Sequence, residues 1–351
     1  MSLIDLCERG WIPDALTRLG IRRLCADRLR SERAEGAAQR KLAQLQLLRE
    51  SPLAIETEAA NQQHYEVPAD FFRRCLGKRL KYSSCYYPTG AETLDQAEEA
   101  MLALYLQRGE FVDGQDILEL GCGWGSATLY LAEKLPNARI TGVSNSHSQR
   151  QYIEEQCRQR GLENVRILTC DVNVLELEPD AFDRCISIEM FEHVRNYQTL
   201  LQRISGWLRP GGKLFVHVFA HRELLYPFET EGDDNWMGRY FFTGGLMPSF
   251  DTLPQFHRDL VVEEQWWLDG RHYQRTSEHW LQNTDRHRQE ILRLFEHSYG
   301  KDQAALWLQR WRMFYLACAE CFGYDQGREW GVAHYRFGKR IATLGKESID
   351  P

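Results

Sequence analysis

From Leu94 onward the chain alternates short apolar runs with stretches in which apolar residues recur every three or four positions. The run Asp116-Ile-Leu-Glu-Leu stops at three alternating glycines, Gly121, Gly123 and Gly125. Beyond them Leu129, Leu131, Ala132 and Leu135 recur at helical spacing, so the segment reads as strand, tight turn, helix. Further strands are predicted at 139–144, 165–171, 182–189, 213–217, 261–268 and 330–339. Helices are predicted at 94–107, from about Ser148, at about 197–208 (ended by Pro210-Gly211-Gly212), and at about 277–299 and 303–322. Strands and helices alternating at this spacing predict an α/β protein with a doubly wound, mostly parallel, seven-stranded sheet.

The flanks divide the rest. Residues 1–60 carry helical periodicity broken at Gly10 and Pro13, with a basic, Ala- and Gln-rich run from Arg22 to Arg49 that reads as a solvated face of a helical extension. Residues 61–115 begin rich in aromatic and turn residues and are expected to cap a pocket. The core is placed at 116–220. In 221–260 the alternation stops, and this aromatic, loop-rich insertion is expected to act as a substrate lid. Residues 261–340 complete the sheet and pocket, and 341–351 form a tail.

Composition narrows the function classes. Of 351 residues, 43% are hydrophobic and 12% aromatic, enough for a packed core. The net charge of −7 argues against a nucleic-acid partner. No window of about 18 apolar residues suggests a membrane span, and the first twenty residues lack signal-peptide character, so a cytoplasmic protein is expected. Its ten cysteines are then expected to stay reduced. Cys318 and Cys321 form a Cys-x-x-Cys inside a Trp- and Leu-rich helical pattern, which favours buried packing over metal or redox use. No metal is expected.

Glu119-x-Gly-x-Gly-x-Gly differs from both the dinucleotide fingerprint and the phosphate loop. It resembles the pattern of S-adenosylmethionine-dependent methyltransferases of the Rossmann-like class I. A narrower resemblance, to the coclaurine and pavine N-methyltransferases within the cyclopropane-fatty-acid-synthase-like methyltransferases, is carried by Ile188-Glu-Met-Phe-Glu-His193. It is carried also by Leu80-Lys-Tyr-Ser83, Gly142-Val-Ser-Asn-Ser146, Tyr240-Phe-Phe-Thr-Gly-Gly-Leu-Met-Pro248 and His272-Tyr-x-x-Thr-Ser-x-x-Trp280. It runs from about residue 60 to 340 and leaves the first sixty residues outside.

The resemblance implies S-adenosylmethionine as cofactor, with S-adenosylhomocysteine as product, and a small-molecule amine as acceptor. Tyr82 and Ser83 would close over the methionine part, with Gly121 and Gly123 beneath it. Asn145 and Gln149 would face the ribose, where such enzymes usually carry a carboxylate. Asp171 would face the adenine, though its chemistry fits a helix N-cap equally well. Val172 and Ile188 would flank the cofactor. Tyr226, Phe241, Phe322, Trp330 and Tyr335 would line the substrate pocket. Glu189, Glu192 and His193 would face the amine.

These last three suit amine methylation. An alkylamine has a pKa near the lysine value of about 10.4, so its lone pair must be freed before it attacks. Two carboxylates at i and i+3 can bind and orient an ammonium, and the adjoining imidazole, with an ordinary pKa of about 6.5, can accept its proton. Other readings are kept open: a cyclopropane-forming or lipid-methylating enzyme, a non-catalytic methyltransferase-like binding protein, and an O-methyltransferase. The lipid enzymes use a bicarbonate held near a Cys that follows Tyr-Ser, and here Ser84 follows Tyr82-Ser83, with Cys85 one place later. A homodimer is compatible with the sequence.

Overall fold

The structure is a computed structural model that describes residues 2–53, 68–232 and 235–340. Part of the expected cap, residues 61–67, and the tail from 341 lie outside the described residues. Five consecutive strands, β1 (Asp116–Leu120), β2 (Arg139–Ser144), β3 (Val165–Thr169), β4 (Phe182–Ile188) and β5 (Leu208–His221), pair in parallel. A short ladder of β6 (Tyr226–Pro227) and β7 (Leu246–Met247) sits in the insertion. The last strands, β8 (Leu260–Leu268) and β9 (Trp330–Lys339), join antiparallel, giving the order β3-β2-β1-β4-β5-β9-β8. The chain order reverses between β1 and β4, and a sheet of this kind opens its ligand crevice there, beyond the strand ends.

Alternation along the strands sorts side chains onto two faces. In β5, Phe215 and Phe219 enter one core, while Leu214, Val216 and Val218 enter the other. In β9, Trp330 and Val332 join the first core and Ala333, Tyr335 and Phe337 the second. The first core is the side on which the cap and the C-terminal helices pack.

The predicted elements are present with instructive differences. β5 is longer than the sequence reading at both ends: Leu208 pairs with Phe182, and β9 pairs along Lys213–His221, beyond the reach of local propensity. The helix predicted at 277–299 begins at Arg271 and is interrupted at His287, giving Arg271–Arg286 and Arg288–Tyr299, followed by Lys301–Gly323. Cys318 is buried and Cys321 partly buried on that last helix, both as free thiols. No cluster of metal-ligating side chains occurs among the described residues.

The N-terminal helices, Leu3–Glu8, Asp14–Glu32 and Ala37–Glu50, break at Gly10–Pro13 as the pattern predicts. Their basic residues are less free than a solvated face. Arg18 bridges Glu278 (2.5 Å) and Glu320 (2.7 Å), Arg22 also reaches Glu320, Arg33 pairs with Glu329 (2.6 Å) and Lys41 with Asp251 (2.7 Å). Acidic partners 210 to 302 positions away turn this run into clamps, which charge patterning alone does not reveal. No helix among the described residues is long and apolar enough to cross a membrane.

Candidate active site

The crevice beyond β1 and β4 holds a chamber of about 810 Å³ when its open mouth is counted. Its floor is the glycine turn. Gly121 and Gly123 take φ of +77° and +52°, the left-handed region that favours glycine. A methyl built on Gly123 meets nothing within 4 Å, so that backbone borders open space. Gly121 and Cys122 both donate to the Val143 carbonyl (3.0 and 2.9 Å), which ties the turn to the end of β2.

The roof is the segment 77–84, and one side chain pins it. Glu98, on the helix Leu94–Arg108, is buried and accepts from the backbone N–H of Gly77 (3.0 Å), Arg79 (2.7 Å) and Lys81 (3.2 Å). Burial pushes its carboxyl up to about 7 against the pull of those three donors. Lys81 is buried too; its ammonium donates to Ser83 Oγ (2.5 Å) and the Ser84 carbonyl (2.6 Å) and lies 5.1 Å from the Tyr105 ring centre. Desolvation lowers its pKa.

The end of β4 supplies the acidic wall. Glu189 has φ of +45°, a conformation that costs a non-glycine residue on the order of 1–3 kcal/mol, and its N–H donates to the His217 carbonyl (2.8 Å). That bend carries its carboxylate into a ring of donors. Oε1 accepts from Ser84 N–H (2.9 Å) and lies 3.1 Å from His217 Nε2, and Oε2 accepts from the Tyr273 hydroxyl (2.7 Å). Glu192, on the short helical turn Phe191–His193, is 1% exposed, and its Oε2 has no hydrogen-bond partner. Burial first, then the charge of Glu189, drives the Glu192 carboxyl well above the usual range. Burial raises the Glu189 carboxyl as well, but there the Lys81 charge, the Ser84 N–H and the Tyr273 hydroxyl oppose it, so of the pair Glu189 is the better placed to hold the negative charge and Glu192 the proton. The His193 ring stacks on Phe242 at 5.9 Å with 12° between planes.

Four buried polar atoms among the chamber residues lack partners: Trp124 Nε1, Ser126 Oγ, Gln149 Nε2 and Glu192 Oε2. The amide of Gln149 is aimed, because its Oε1 accepts from Ser144 Oγ (2.7 Å) and leaves the NH2 unpaired. Buried polar groups without partners are rare in native proteins and imply a ligand that satisfies them. An S-adenosylmethionine-sized molecule on the glycine turn fits this set of donors and acceptors. Glu119 at the end of β1 completes the floor; burial pushes its carboxyl up to about 8, opposed by a bond from the Thr128 hydroxyl.

Of the residues singled out from sequence, Tyr82, Ser83, Gly121, Gly123, Gln149, Ile188, Glu189, Glu192 and His193 all border the chamber. Asn145, Asp171 and Val172 do not; they stand half-buried beyond β2 and β3, and Asp171 caps its own turn by accepting from Asn173 N–H (2.7 Å). None of the five expected pocket aromatics reaches the chamber. Phe241 stacks behind Phe314 (4.4 Å) and Phe322 behind Tyr273 (4.3 Å), so each lies one layer too deep. The Trp330 indole N–H donates to the Tyr226 hydroxyl oxygen (2.9 Å). Tyr335 belongs to the opposite face of the sheet, its hydroxyl donating to the Phe250 carbonyl (2.6 Å).

Besides Tyr82 in the roof, the aromatics that border the chamber are Tyr105, Trp124, Phe242, Tyr273 and Phe314. Phe242 and Tyr273 were within reach, since each lies in a block that carries the resemblance; Lys81 and Glu119 were equally visible in their motifs. His217 and Phe314 had no local signal, because only the tertiary fold brings them to the site.

Comparison with known proteins agrees with this geometry. The family model described as mycolic acid cyclopropane synthetase matches residues 54–328. An (S)-coclaurine N-methyltransferase of Thalictrum flavum subsp. glaucum is 38% identical over 348 residues, covering 97% of this chain and 96% of that protein. A pavine N-methyltransferase of the same plant is 33% identical over 346 residues, covering 97% of each. These alignments take in the N-terminal helices, so the likeness is wider than residues 60–340. A crystal structure of coclaurine N-methyltransferase bound to N-methylheliamine and S-adenosylhomocysteine superposes with a TM-score of 0.91 at 38% identity, covering 96% of this chain and 99% of that one.

Proposed function

The chain belongs to the mycolic acid cyclopropane synthetase family, in which it is an S-adenosylmethionine-dependent N-methyltransferase, and from that premise we propose that its acceptor is a secondary or primary amine on an aromatic, alkaloid-like body. The observation that carries this reading is the unpartnered Glu192 Oε2 inside a chamber walled by Phe242, Tyr273 and Phe314. An amine N–H satisfies that oxygen, and the rings receive the apolar body, with cation–π contact worth about 0.5–2 kcal/mol when the amine arrives charged.

When bound, S-adenosylmethionine supplies a methyl group activated on a sulfonium. The chain's own residues then align the acceptor and exclude water, which lowers most of the barrier of an in-line displacement. Gly121, Gly123, Trp124, Ser126, Gln149 and Glu119 would hold the cofactor. Glu192 would orient the amine through its nitrogen, His193 would take the proton from that nitrogen, and Glu189 would hold a fixed negative charge beside it.

Lipid acyl chemistry is the weaker alternative. Cys85, the thiol nearest the Tyr-Ser pair, is fully buried, with its sulfur 3.7 Å from the Ser83 carbonyl, and burial pushes its pKa up. A panel of primary and secondary arylalkylamines, scored for a one-methyl mass gain with S-adenosylmethionine, tests the reading. Modification of phospholipid vesicles without turnover of any amine would overturn it.

A further inference from the structure

Next to Glu189 lies a row of polar side chains buried in the sheet. His217 on β5 and His334 on β9 stand directly opposite each other in the antiparallel ladder, both fully buried. His334 Nε2 lies 2.9 Å from His217 Nδ1, and His217 Nε2 lies 3.1 Å from Glu189 Oε1. At the far end Arg108, the last residue of the helix Leu94–Arg108, brings Nη1 to 2.8 Å from His334 Nδ1. Its guanidinium also covers the Trp266 ring at 4.8 Å and is half-buried.

The direction of every bond in this row follows from its outer end. A guanidinium has only donors and stays charged at any ordinary pH. His334 Nδ1 must therefore accept, which leaves the His334 proton on Nε2. That proton can go only to His217 Nδ1, which must accept in turn, sharing its lone pair with the Tyr105 hydroxyl at 2.9 Å. The remaining His217 proton sits on Nε2 and is donated to Glu189. Both imidazoles are neutral in this arrangement, in keeping with burial driving their pKa values well down.

We propose that Arg108, His334 and His217 form a hydrogen-bond relay of fixed polarity that positions Glu189 and keeps it an acceptor beside the reacting nitrogen, an inference that rests on the methyltransferase reading above. In serine proteases, reversing the imidazole tautomer with geometry intact is enough to cripple catalysis, so a device that fixes a tautomer from a distance has a functional use. With the relay intact, Glu189 meets an N–H at Oε1. With it broken, His217 can present a bare nitrogen there, and the carboxylate loses a donor and turns.

Three variants and one spectrum test this. A glutamine at 334 carries its oxygen and NH2 in the same 1,3 relation as the two ring nitrogens, so it can accept from Arg108 and donate to His217; leucine can do neither. His334→Leu and Arg108→Met are expected to lower kcat for the best amine at least about tenfold, with KM for S-adenosylmethionine within about twofold. His334→Gln is expected to stay within about threefold of wild type. The groups facing the two imidazoles are Lys81, Tyr105, Glu189 and Arg108, with Glu264 beside Arg108. Removing the Arg108 charge raises the His334 pKa, so the acid limb of the kcat profile should move to higher pH in Arg108→Met.

Nitrogen-15 spectra of the ligand-free wild type should show His217 and His334 as Nε2–H tautomers. An Nδ1–H tautomer at His217 overturns the relay, as does equal loss in His334→Gln and His334→Leu, or full activity in His334→Leu. If His334→Leu does not fold, the glutamine variant and the spectrum decide. The spectrum needs no acceptor, so a failed amine panel and a failed relay remain separate results.

Discussion

At the scale of single residues the site is a set of unequal neighbours. Glu189 and Glu192 are three residues apart, yet one is ringed by donors and the other keeps an unpartnered oxygen. Glu192→Gln and His193→Ala should each cut kcat by a factor on the order of 10²–10⁴, with S-adenosylmethionine affinity near normal by calorimetry; wild-type turnover in both would remove them from the mechanism. Gly123→Val should abolish cofactor binding, because its side chain would project into open space in the chamber and its φ disfavours a branched residue. Glu119 gives a pH signature. Its carboxyl, raised to about 8 in the ligand-free protein, keeps its proton at neutral pH, and a cation settling beside it favours the charged form. Cofactor binding should therefore release a proton below about pH 8, and the release should fade above it. Titrations in buffers of differing ionisation enthalpy measure this; buffer-independent heats at pH 7 would count against it, and Glu119→Gln should remove the effect.

At the scale of elements, the roof depends on one carboxylate. Glu98→Ala strips three backbone N–H groups of their acceptor, a loss of about 1–3 kcal/mol for a buried group. Melting temperature should fall by several degrees, and KM for S-adenosylmethionine should rise more than kcat falls, since the loosened segment carries Tyr82 and Ser83. An unchanged KM would show the segment holds itself. Elements set by local periodicity, such as the helix after the glycine turn, were readable in the chain. The length of β5 was not, because its ends are fixed by pairing with β4 and β9. The five aromatics expected in the pocket stand away from the chamber for a related reason. Ring content marks a region as a wall, but stacking order decides whether Phe241 or Phe314 is the face that a ligand meets.

At the scale of the whole molecule, the glycine turn and the Glu-x-x-Glu-His block could be placed on one crevice from sequence, since a doubly wound sheet gathers its strand ends. The N-terminal clamps could not, because each joins residues about two to three hundred positions apart. Glu320 is 6% exposed and holds both Arg18 and Arg22. Glu320→Ala should leave the sheet intact by circular dichroism and open Arg18 and Arg22 to trypsin; resistance equal to wild type would assign the anchoring to apolar packing instead.

Those clamps also fasten the two helices that carry Tyr273 and Phe314, since Arg18 joins Glu278 on one to Glu320 on the other. The first fifty residues thus work like a belt drawn around the back of a vessel. On gentle heating the belt should slip first, and the enzyme should lose its discrimination among amines while it can still turn them over.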